Sequence, residues 1–365
     1  MKRIILMLIA AAAMIASCGT PEDKPIAGNG TLVLEVDKVE IMADGEDAAE
    51  ITAKYDGVVV TDGVDFYDAA TNVPVRVKDM RFSTKNVGQH SIYAIYNGVK
   101  SNILKITALE FAIPVLPADP DPDGKSFRKR VLLTQFTSTG CTYCPTATKL
   151  LRELAADPEY MDKFVLGACH ADMANYQNGD DPADFSGNIS FMNAFRIQGF
   201  PTLTMDLDQQ ANVFNSVQVK EQLNSYYGDG ASVAGISVNS EINGNMLIVN
   251  AAVKAGQSGK YRVGAWLLED GIYGKQTSAL DESYNTHDNC IRLIDAESHY
   301  MGYDLGLLSA GDSSEHVFAI RIDATKWNID NCKILLYVTS PYGNEQVVNN
   351  AVVVPIGSAV AYEYR

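Results

Sequence analysis

The chain has 365 residues, of which 47% are hydrophobic and 20% charged, and its formal net charge is −16. This length allows two or three domains, since a domain typically has roughly 100–200 residues. The hydrophobic and charged fractions are those of a globular protein and exclude a disordered chain. The acidic balance argues against nucleic acid and against an anionic membrane surface as electrostatic partners.

The first residues have a charged start and an apolar core. Lys2 and Arg3 precede an apolar run from Ile4 to Ile15, and small residues come after it. This pattern predicts a secretory signal peptide over residues 1–17, which is too short to be a membrane span.

A cysteine, Cys18, directly follows the small residues Ala16 and Ser17. This arrangement resembles the lipobox of bacterial lipoproteins, which implies cleavage before Cys18 and acylation of this residue with chains such as palmitate. An ordinary signal peptide that contains a cysteine is the alternative. The lipobox interpretation predicts a tether over residues 18–30, a membrane partner reached through the lipid anchor, and an outer membrane location in the cell envelope. Glu22 and Asp23 follow Cys18 closely. They resemble the short acidic signal that exports some Gram-negative lipoproteins to the cell surface.

Residues 31–110 have the pattern of an all-β domain. Short alternating runs such as Leu32–Val36 and Ser91–Tyr96 are separated by Asp-Gly and Asn-Gly turn signals, which predicts a β-sandwich. The stretch from Gly88 to Gly98 is similar to bacterial immunoglobulin-like domains, which implies a spacer or an adhesive module.

Residues 231–365 also favour β-structure. Asn243-Gly244 is a hairpin signal, and the runs Tyr261–Leu268 and Ile334–Val338 are apolar enough for core strands. A second, C-terminal sandwich is the simplest packing of these strands.

A proline-rich segment, residues 111–125, connects the first β-region to the rest of the chain and predicts a stiff extended linker. Its stretch Asp119–Gly124 matches the start of a calcium loop. The twelfth position of that loop would be Arg130, where a bidentate Glu is needed, so we assign no metal.

Between these regions, residues 126–230 carry the motif with the clearest chemistry. The apolar run Val131–Phe136 leads to Cys141 and Cys144, and Pro145 then opens a segment with helical spacing. A Cys-x-x-Cys pair at the start of a helix is typical of a dithiol redox site, because the helix N-terminus stabilises a thiolate. The pattern predicts Cys141 as the catalytic nucleophile and Cys144 as the resolving thiol. A disulfide that only staples the helix start is the alternative.

This turn, together with Phe200-Pro201-Thr202 before a later strand, resembles the thioredoxin fold. The resemblance implies a cis peptide bond before Pro201, beside the dithiol, where it holds the substrate chain. A helix from about Ser216 to Tyr227 is predicted to close the domain. Two positions depart from the thioredoxin pattern: Gly140 replaces a Trp, and Gln135 replaces the buried acid that relays the proton. Because Gln135 cannot titrate, efficient thiol exchange is in doubt.

Three further cysteines and an insert remain. Cys290 and Cys332 form a candidate structural disulfide, whereas Cys169 lies in an apolar run and is predicted to be an inert buried thiol. The insert His170–Arg196 is predicted to form a wall beside the dithiol or a surface elaboration. His170 is a candidate neighbour of the site, although a satisfied surface histidine is the simpler expectation, and the histidines do not form a metal-ligand set.

Taken together, these features resemble the outer membrane protein twenty-eight-related lipoproteins of Gram-negative bacteria. The resemblance extends from about Phe127 to the C-terminus and includes the Gly140–Pro145 turn and the stretch Tyr284–Arg292, in which His287 and Arg292 match the family. The predicted fold class is a multidomain protein with an all-β immunoglobulin-like sandwich, an α/β thioredoxin-like domain and an all-β C-terminal sandwich.

Two classes of function stay open. One is a thiol–disulfide oxidoreductase that acts on envelope proteins and needs no cofactor. The other is a surface binding or adhesive lipoprotein, with an envelope or surface protein as its partner, in which the dithiol region is a scaffold. An exposed Cys141 sulfur favours the enzyme, and a sulfur covered by the insert or by the C-terminal region favours the binding protein.

Overall fold

The computed structural model describes residues 30–110, 112–172, 181–297, 299–342 and 345–365. These residues form 26 strands and three α-helices, so the protein is mostly β. The chain divides into two compact units, residues 1–110 and residues 111–365. Among the described residues, no helix combines the length and the apolar character needed to cross a membrane. The signal peptide, Cys18 and the tether up to residue 29 lie outside the described residues.

The first unit consists of short strands. They are β1 (Leu32–Val36), β2 (Glu40–Met42), β3 (Ala49–Tyr55), β4 (Val58–Val60), β5 (Asp65–Asp68), β6 (Arg81–Phe82), β7 (Gly88–Tyr96), β8 (Val99–Lys100) and β9 (Leu104–Leu109).

These strands form two sheets around one core. One sheet has the order β1-β3-β4, with β6 also on β3, and the other has the order β2-β9-β7-β5, with β8 also on β7. Alternate residues such as Leu32, Leu34, Ile51 and Ile106 point into the shared core, as the period-2 pattern predicts.

The second unit begins with two strands and continues with three helices and many longer strands. In chain order its elements are β10 (Phe127–Arg128), β11 (Val131–Thr137), α1 (Cys144–Ala156), β12 (Phe164–His170), α2 (Asn188–Ala194), β13 (Thr202–Met205), β14 (Gln210–Ala211), α3 (Ser216–Tyr227), β15 (Ala231–Ser232), β16 (Ala234–Asn243), β17 (Met246–Ala255), β18 (Gly259–Glu269), β19 (Ile272–Tyr273), β20 (Thr286–His287), β21 (Cys290–Asp295), β22 (Tyr303–Leu308), β23 (Ser313–Arg321), β24 (Cys332–Tyr342), β25 (Glu345–Pro355) and β26 (Ala359–Val360). Two short 3₁₀ helices span Glu282–Asn285 and Ile329–Asn331.

One large sheet organises this unit. Its strand order is β14-β13-β11-β12-β21-β18-β24-β25, with β22 also paired to β18. β11 runs parallel to β12 and antiparallel to β13. A second sheet, β23-β17-β16-β26, shares a core with β18 and β24 of the large sheet.

β11 is buried along its whole length because both of its faces are covered. Val131 and Leu133 pack with the buried residues of α1 and α3. Leu132 and Phe136 point to the other face, where they share a core with Phe191 of α2. A nearly continuous apolar run is the sequence expected for a strand that is buried on both faces.

The predicted fold class is wrong. It expected an α/β domain of the thioredoxin type with its own sheet, followed by a separate sandwich, whereas the protein is mostly β and the two segments share one sheet. The junction is the pairing of β12 with β21, at Ala168 and Cys290. Trp266 and Leu268 of β18 lie in the same core as Leu132 of β11. A strand from the C-terminal segment therefore pairs with the edge of β12 at Ala168.

The proline-rich segment is not a free spacer, because it packs on the second unit. The side-chain amides of Asn250 and Asn239 donate to the carbonyls of Pro114 and Val115, at 3.0 and 2.8 Å. The ammonium of Lys254 fills the loop that resembles a calcium site. It donates to Asp119 Oδ2 at 2.8 Å, to the carbonyls of residues 121 and 122 at 3.1 and 2.7 Å, and to the hydroxyl of residue 364 at 2.8 Å. A side-chain cation thus takes the oxygen ligands that a calcium ion would need.

We predict that Gly167→Ala destabilises the protein by about 1–3 kcal/mol, because overpacking of a core costs this much. A Cβ at Gly167 in β12 would lie 2.6 Å from the indole of Trp266. The indole cannot yield easily, because it is fully buried between Phe191 and Tyr337. Urea unfolding followed by tryptophan fluorescence measures the loss. Gly199→Ala is the matched control, since nothing lies within 4 Å of that Cβ; equal losses in the two variants would contradict the prediction.

Candidate functional site

The disulfide turn, residues 138–144, connects β11 to α1. Cys141 and Cys144 form a disulfide with a Cα–Cα distance of 5.4 Å. α1 begins at Cys144 with Pro145 in its first turn, so Cys141 lies before the helix. The Cys141 amide donates to the Ser138 carbonyl at 3.1 Å, which closes the turn. The two cysteines thus pair as the Cys-x-x-Cys spacing predicted.

Pro201 lies at the end of the strand next to this turn. The Phe200–Pro201 bond is cis, the isomer that the resemblance implied. Thr202 pairs with Phe136 in the antiparallel register of β13 and β11, and this register puts Pro201 level with Thr137, where β11 enters the turn. The catalytic roles assigned to Cys141, Cys144 and Pro201 stay predictions.

The Cys141 residue is covered: 4% of it is exposed, and Cys144 is fully buried. The loop of residues 274–287, which we call the cover loop, lies against this turn and hydrogen-bonds its carbonyls. The side-chain amide nitrogen of Gln276 lies within hydrogen-bond distance of the carbonyls of Ser138, Thr139 and Cys141, at 3.3, 3.1 and 3.0 Å. The backbone amide of Thr277 donates to the Thr139 carbonyl at 2.8 Å. Carbonyls of the turn that would otherwise meet solvent are therefore occupied by the C-terminal segment.

The insert closes the other side of the turn through Asp181. Its Oδ2 accepts from the Thr139 amide at 2.8 Å and from His170 Nδ1 at 3.0 Å, and its Oδ1 accepts from the Ala183 amide at 3.0 Å. Burial alone would raise the pKa of Asp181, but the hydrogen bonds and charge of His170 and the Thr139 amide hold it below the ordinary value.

His170 is the centre of a histidine cluster that consists of His170, Asp181, Cys290 and His287. His170 is 2% exposed, so the expectation of a surface histidine is wrong. Burial opposes its charge, but the interactions with Cys290 and Asp181 outweigh that cost and raise the pKa of His170 to about 10. His287 packs edge-on against His170, with ring centroids 5.0 Å apart. Burial and the charge of His170 lower the pKa of His287, whose Nε2 donates to the Gly274 carbonyl at 2.9 Å.

A cavity of about 200 Å³ lies between α1, β12 and β20. Its lining combines apolar side chains such as Leu151 and Leu166 with the charged Arg152 and Asp288. Its polar wall includes His170, His287 and Asn289. The cavity therefore reaches the histidine cluster from the side of α1.

The predicted disulfide between Cys290 and Cys332 is not formed, and both are free buried thiols. Glu269 of β18 pairs with Cys290 on one side and with Cys332 on the other. One strand therefore separates the two cysteines, so their Cα atoms are two strand spacings apart, roughly 9–10 Å. A disulfide needs about 4.4–6.8 Å. Cys169 is buried, as predicted, and burial raises the pKa of its thiol far above the ordinary value.

The second stretch of the family resemblance lies beside the site. His287 holds the cover loop through the Gly274 carbonyl. Arg292 lies 3.2 Å from Glu269 Oε2 and donates to the Pro182 carbonyl at 3.0 Å, which ties the insert to β21.

Sequence reasoning missed the contact between Cys290 and His170, and it missed Gln276 altogether. The hydrogen-bonding side chain of Gln276 lies more than a hundred residues from the turn that it covers, in a stretch without a motif. His170 begins the insert and Cys290 lies in the stretch Tyr284–Arg292, and both segments were recognised from the sequence. Only the pairing of β12 with β21 brings the two residues together.

Residues 188–355 match the family model of outer membrane protein Omp28. This match covers a little under half of the chain and supports an outer membrane protein. It includes α2, Pro201, the cover loop and Cys290, but it begins after the disulfide turn. Of the resemblance that we expected from about Phe127 to the C-terminus, the family model matches residues 188–355. No curated protein matches the chain.

Solved structures give a likeness of fold. HBP35 of Porphyromonas gingivalis is 18% identical, with a TM-score of 0.52 over 64% of this chain and 77% of that chain. A protein of Agrobacterium tumefaciens is 14% identical with a TM-score of 0.42, over 65% of this chain and 99% of that chain. A DUF3823 family protein from Bacteroides ovatus is 8% identical with a TM-score of 0.21, over 90% of this chain and 99% of that chain. At this identity the HBP35 likeness concerns the fold alone, and the other two scores are too low to support an argument.

We predict that Gln276→Ala destabilises the protein by about 1–3 kcal/mol, because it removes the side-chain donor from the buried carbonyl of Cys141. The variant should also be reduced faster by dithiothreitol at Cys141–Cys144, since the cover loop is held less firmly. Urea unfolding and trapping of the released thiols measure the two effects. Gln209→Ala is the control, because Gln209 is exposed. An unchanged rate of disulfide reduction in Gln276→Ala would show that the Gln276 amide does not hold the cover loop in place.

The buried ion pair predicts a pH dependence of stability. Because the pKa of His170 is raised to about 10 in the folded state, its contribution is fully present below the unfolded pKa of about 6.5 and is lost as the pH rises through about 10. The contribution of Asp181, whose pKa is lowered, is present above about pH 3.9 and is lost in acid.

The free energy of unfolding of the wild type should therefore exceed that of His170→Gln by an amount that shrinks from about pH 6.5 to about pH 10. Urea unfolding of both proteins across this range measures it. A difference that stays constant with pH would show that His170 is not charged in the folded protein.

Proposed function

We propose that this chain is an outer membrane lipoprotein, acylated at Cys18, that binds an envelope or surface protein and does not turn over disulfides. The observation that carries the proposal is the cover on Cys141, whose residue is 4% exposed beneath the cover loop. Thiol exchange needs an in-line approach of a second sulfur, and so small an exposed fraction disfavours that approach by a protein substrate.

Two further observations support the non-enzymatic interpretation. Gln135 occupies the position of the acid that would relay a proton, and its amide donates to Thr148 Oγ1 at 3.1 Å. The match to the Omp28 family model begins at residue 188, so Cys141 and Cys144 lie outside the matched residues. In this proposal the Cys141–Cys144 disulfide staples the turn on which the cover loop and the insert rest, and the surrounding β-structure presents the binding surface.

Thiol–disulfide exchange on envelope proteins is the second candidate. The disulfide at the N-terminus of the 13-residue helix α1, with the cis Pro201 at the neighbouring strand end, favours it. This candidate requires the cover loop to leave the turn.

We expect the purified full-length protein to reduce insulin, with dithiothreitol as the electron donor, no faster than its Cys141→Ser variant does. The physical reason is that the Cys141 sulfur is not accessible to a protein substrate. A rate clearly above that of Cys141→Ser would contradict the proposal and favour the oxidoreductase. The Gln276→Ala variant serves as a second arm, since activity that appears only there would show that the cover is what blocks exchange.

A further inference from the structure

The first unit carries a pocket of about 430 Å³ whose charged lining is basic. No Asp or Glu of the described chain lines it, whereas four cations do: Arg76, Lys78, Arg81 and Lys85. The whole chain has a formal net charge of −16, so this concentration of positive charge is a local feature. The volume lies within the roughly 300–1,000 Å³ of small-molecule sites.

Two of these cations share the outward face of the segment that leads into β6. Val75 and Val77 pack against the core of the first unit. Arg76 and Lys78 alternate with them and are exposed. Because side chains of an extended chain alternate between its two faces, burial of the valines directs both cations to the same outer face.

A tight turn brings a third cation opposite Lys78. The backbone amides of Lys78 and Arg81 donate to each other's carbonyls, at 3.0 and 2.9 Å, so the two residues face each other across the turn. The turn residues Asp79 and Met80 have positive φ angles of 51° and 60°, which are uncommon outside glycine. Like charges directly opposite each other are destabilising. The fold therefore holds these two cations together at a cost in stability that an anionic ligand would offset.

The rest of the lining adds the fourth cation and two hydroxyl groups. Gly45 has a φ of +87°, and a Cβ at this position would lie 2.9 Å from Cε of Lys85. The glycine thus leaves room for the Lys85 side chain against this loop. Ser83 and Thr84 supply the hydroxyls. Thr84 Oγ1 accepts from the backbone amide of residue 86 at 3.0 Å, which leaves its O–H able to donate to a ligand.

The four cations are not neutralised by the protein itself. The described ion pairs of the first unit use other lysines: they are Lys38–Asp47 and Lys54–Glu35. Glu50 lies opposite Arg81 in the register of β3 and β6. Even so, among the described residues no carboxylate forms an ion pair with a cation of the lining. A bound anion would relieve the mutual repulsion of these cations.

The number of cations indicates how much negative charge the pocket accommodates. A phosphoryl group carries about −1.5 to −2 charges at neutral pH, so two such groups match four cations. The guanidinium fork of arginine fits phosphate oxygens in a bidentate manner, and lysine adds a point charge. We propose that this pocket binds a ligand with two phosphoryl groups, either a free diphosphate or the diphosphate headgroup of a lipid. The site lies in the first unit and depends neither on the disulfide turn nor on the proposed binding of a protein.

The test is isothermal titration calorimetry of the full-length protein with inorganic pyrophosphate, at neutral pH and low salt and without divalent cations. Pyrophosphate should bind at least about tenfold more tightly than inorganic phosphate, because only pyrophosphate has two phosphoryl groups. Arg81→Gln should weaken pyrophosphate binding about tenfold, since a hydrogen bond between charged groups is lost. Arg81→Lys, which keeps the charge, should recover part of the affinity. Lys105→Gln is the matched control and should bind like the wild type, because Lys105 is exposed on β9 and does not line the pocket.

The proposal is overturned if pyrophosphate binds the wild type no more tightly than inorganic phosphate does, or if Lys105→Gln weakens binding as much as Arg81→Gln. A second measurement needs no variant. Pyrophosphate should raise the unfolding temperature of the wild type, because a ligand that binds only the folded state stabilises it. An unfolding temperature that pyrophosphate leaves unchanged would also overturn the proposal.

Sedimentation with vesicles distinguishes the two sources of the diphosphate. The Cys18→Ser variant is used here, so that no acyl chain anchors the protein. Sedimentation with phosphatidylcholine vesicles that contain geranylgeranyl diphosphate, but not with phosphatidylcholine alone, would identify a lipid headgroup as the ligand. Binding of pyrophosphate without such sedimentation would identify a free diphosphate.

Discussion

The pairing of β21 with the edge of β12 is the contact on which the second unit depends. β12 is the outer strand of the segment that carries the disulfide turn, and an uncovered edge strand exposes a row of unpaired backbone groups. Cys290 pairs there with Ala168, and the Ala168 amide donates to the Asn289 carbonyl at 2.8 Å. Because the strand that covers the edge comes from the C-terminal segment, two stretches that look like separate domains share one sheet and one core.

The same contact builds the candidate site. Once β21 is in place, the residues that precede it must lie over the end of β11, and these residues are the cover loop. The amide of Gln276 then reaches the carbonyls of the disulfide turn. The insert after β12 meets the loop from the other side, where the ring of Pro182 lies close to Gly274 and leaves no room for a Cβ there. The covered sulfur is thus a consequence of strand order and not of the dithiol motif.

The electrostatics of the site also follow from burial. The His170–Asp181 pair has little contact with water, so each charge depends on the other and on the Thr139 amide. Removing one member of such a pair leaves a buried charge without a partner. The free-energy cost of that charge exceeds the net stability that the intact pair contributes. The pair therefore fixes the insert against the turn and, at the same time, orients the ring that faces Cys290.

The sequence by itself determined the local features. The apolar run before Cys141, the cysteine spacing and Pro145 predicted a strand, a disulfide turn and a helix, and the predicted helix Ser216–Tyr227 has these bounds in the structure. These features depend on interactions between residues close in the chain, such as helix periodicity and turn chemistry.

Only the tertiary structure decided which strands pair and what covers the sulfurs. The sequence could not indicate that β18 would lie between Cys290 and Cys332, nor that His170 would be buried against Cys290. A strand pattern specifies which face is buried but does not specify the neighbour, since many apolar strands fit the same edge. The fold class and the state of the dithiol were decided by that choice of neighbour, so the residues of the motif could not reveal them.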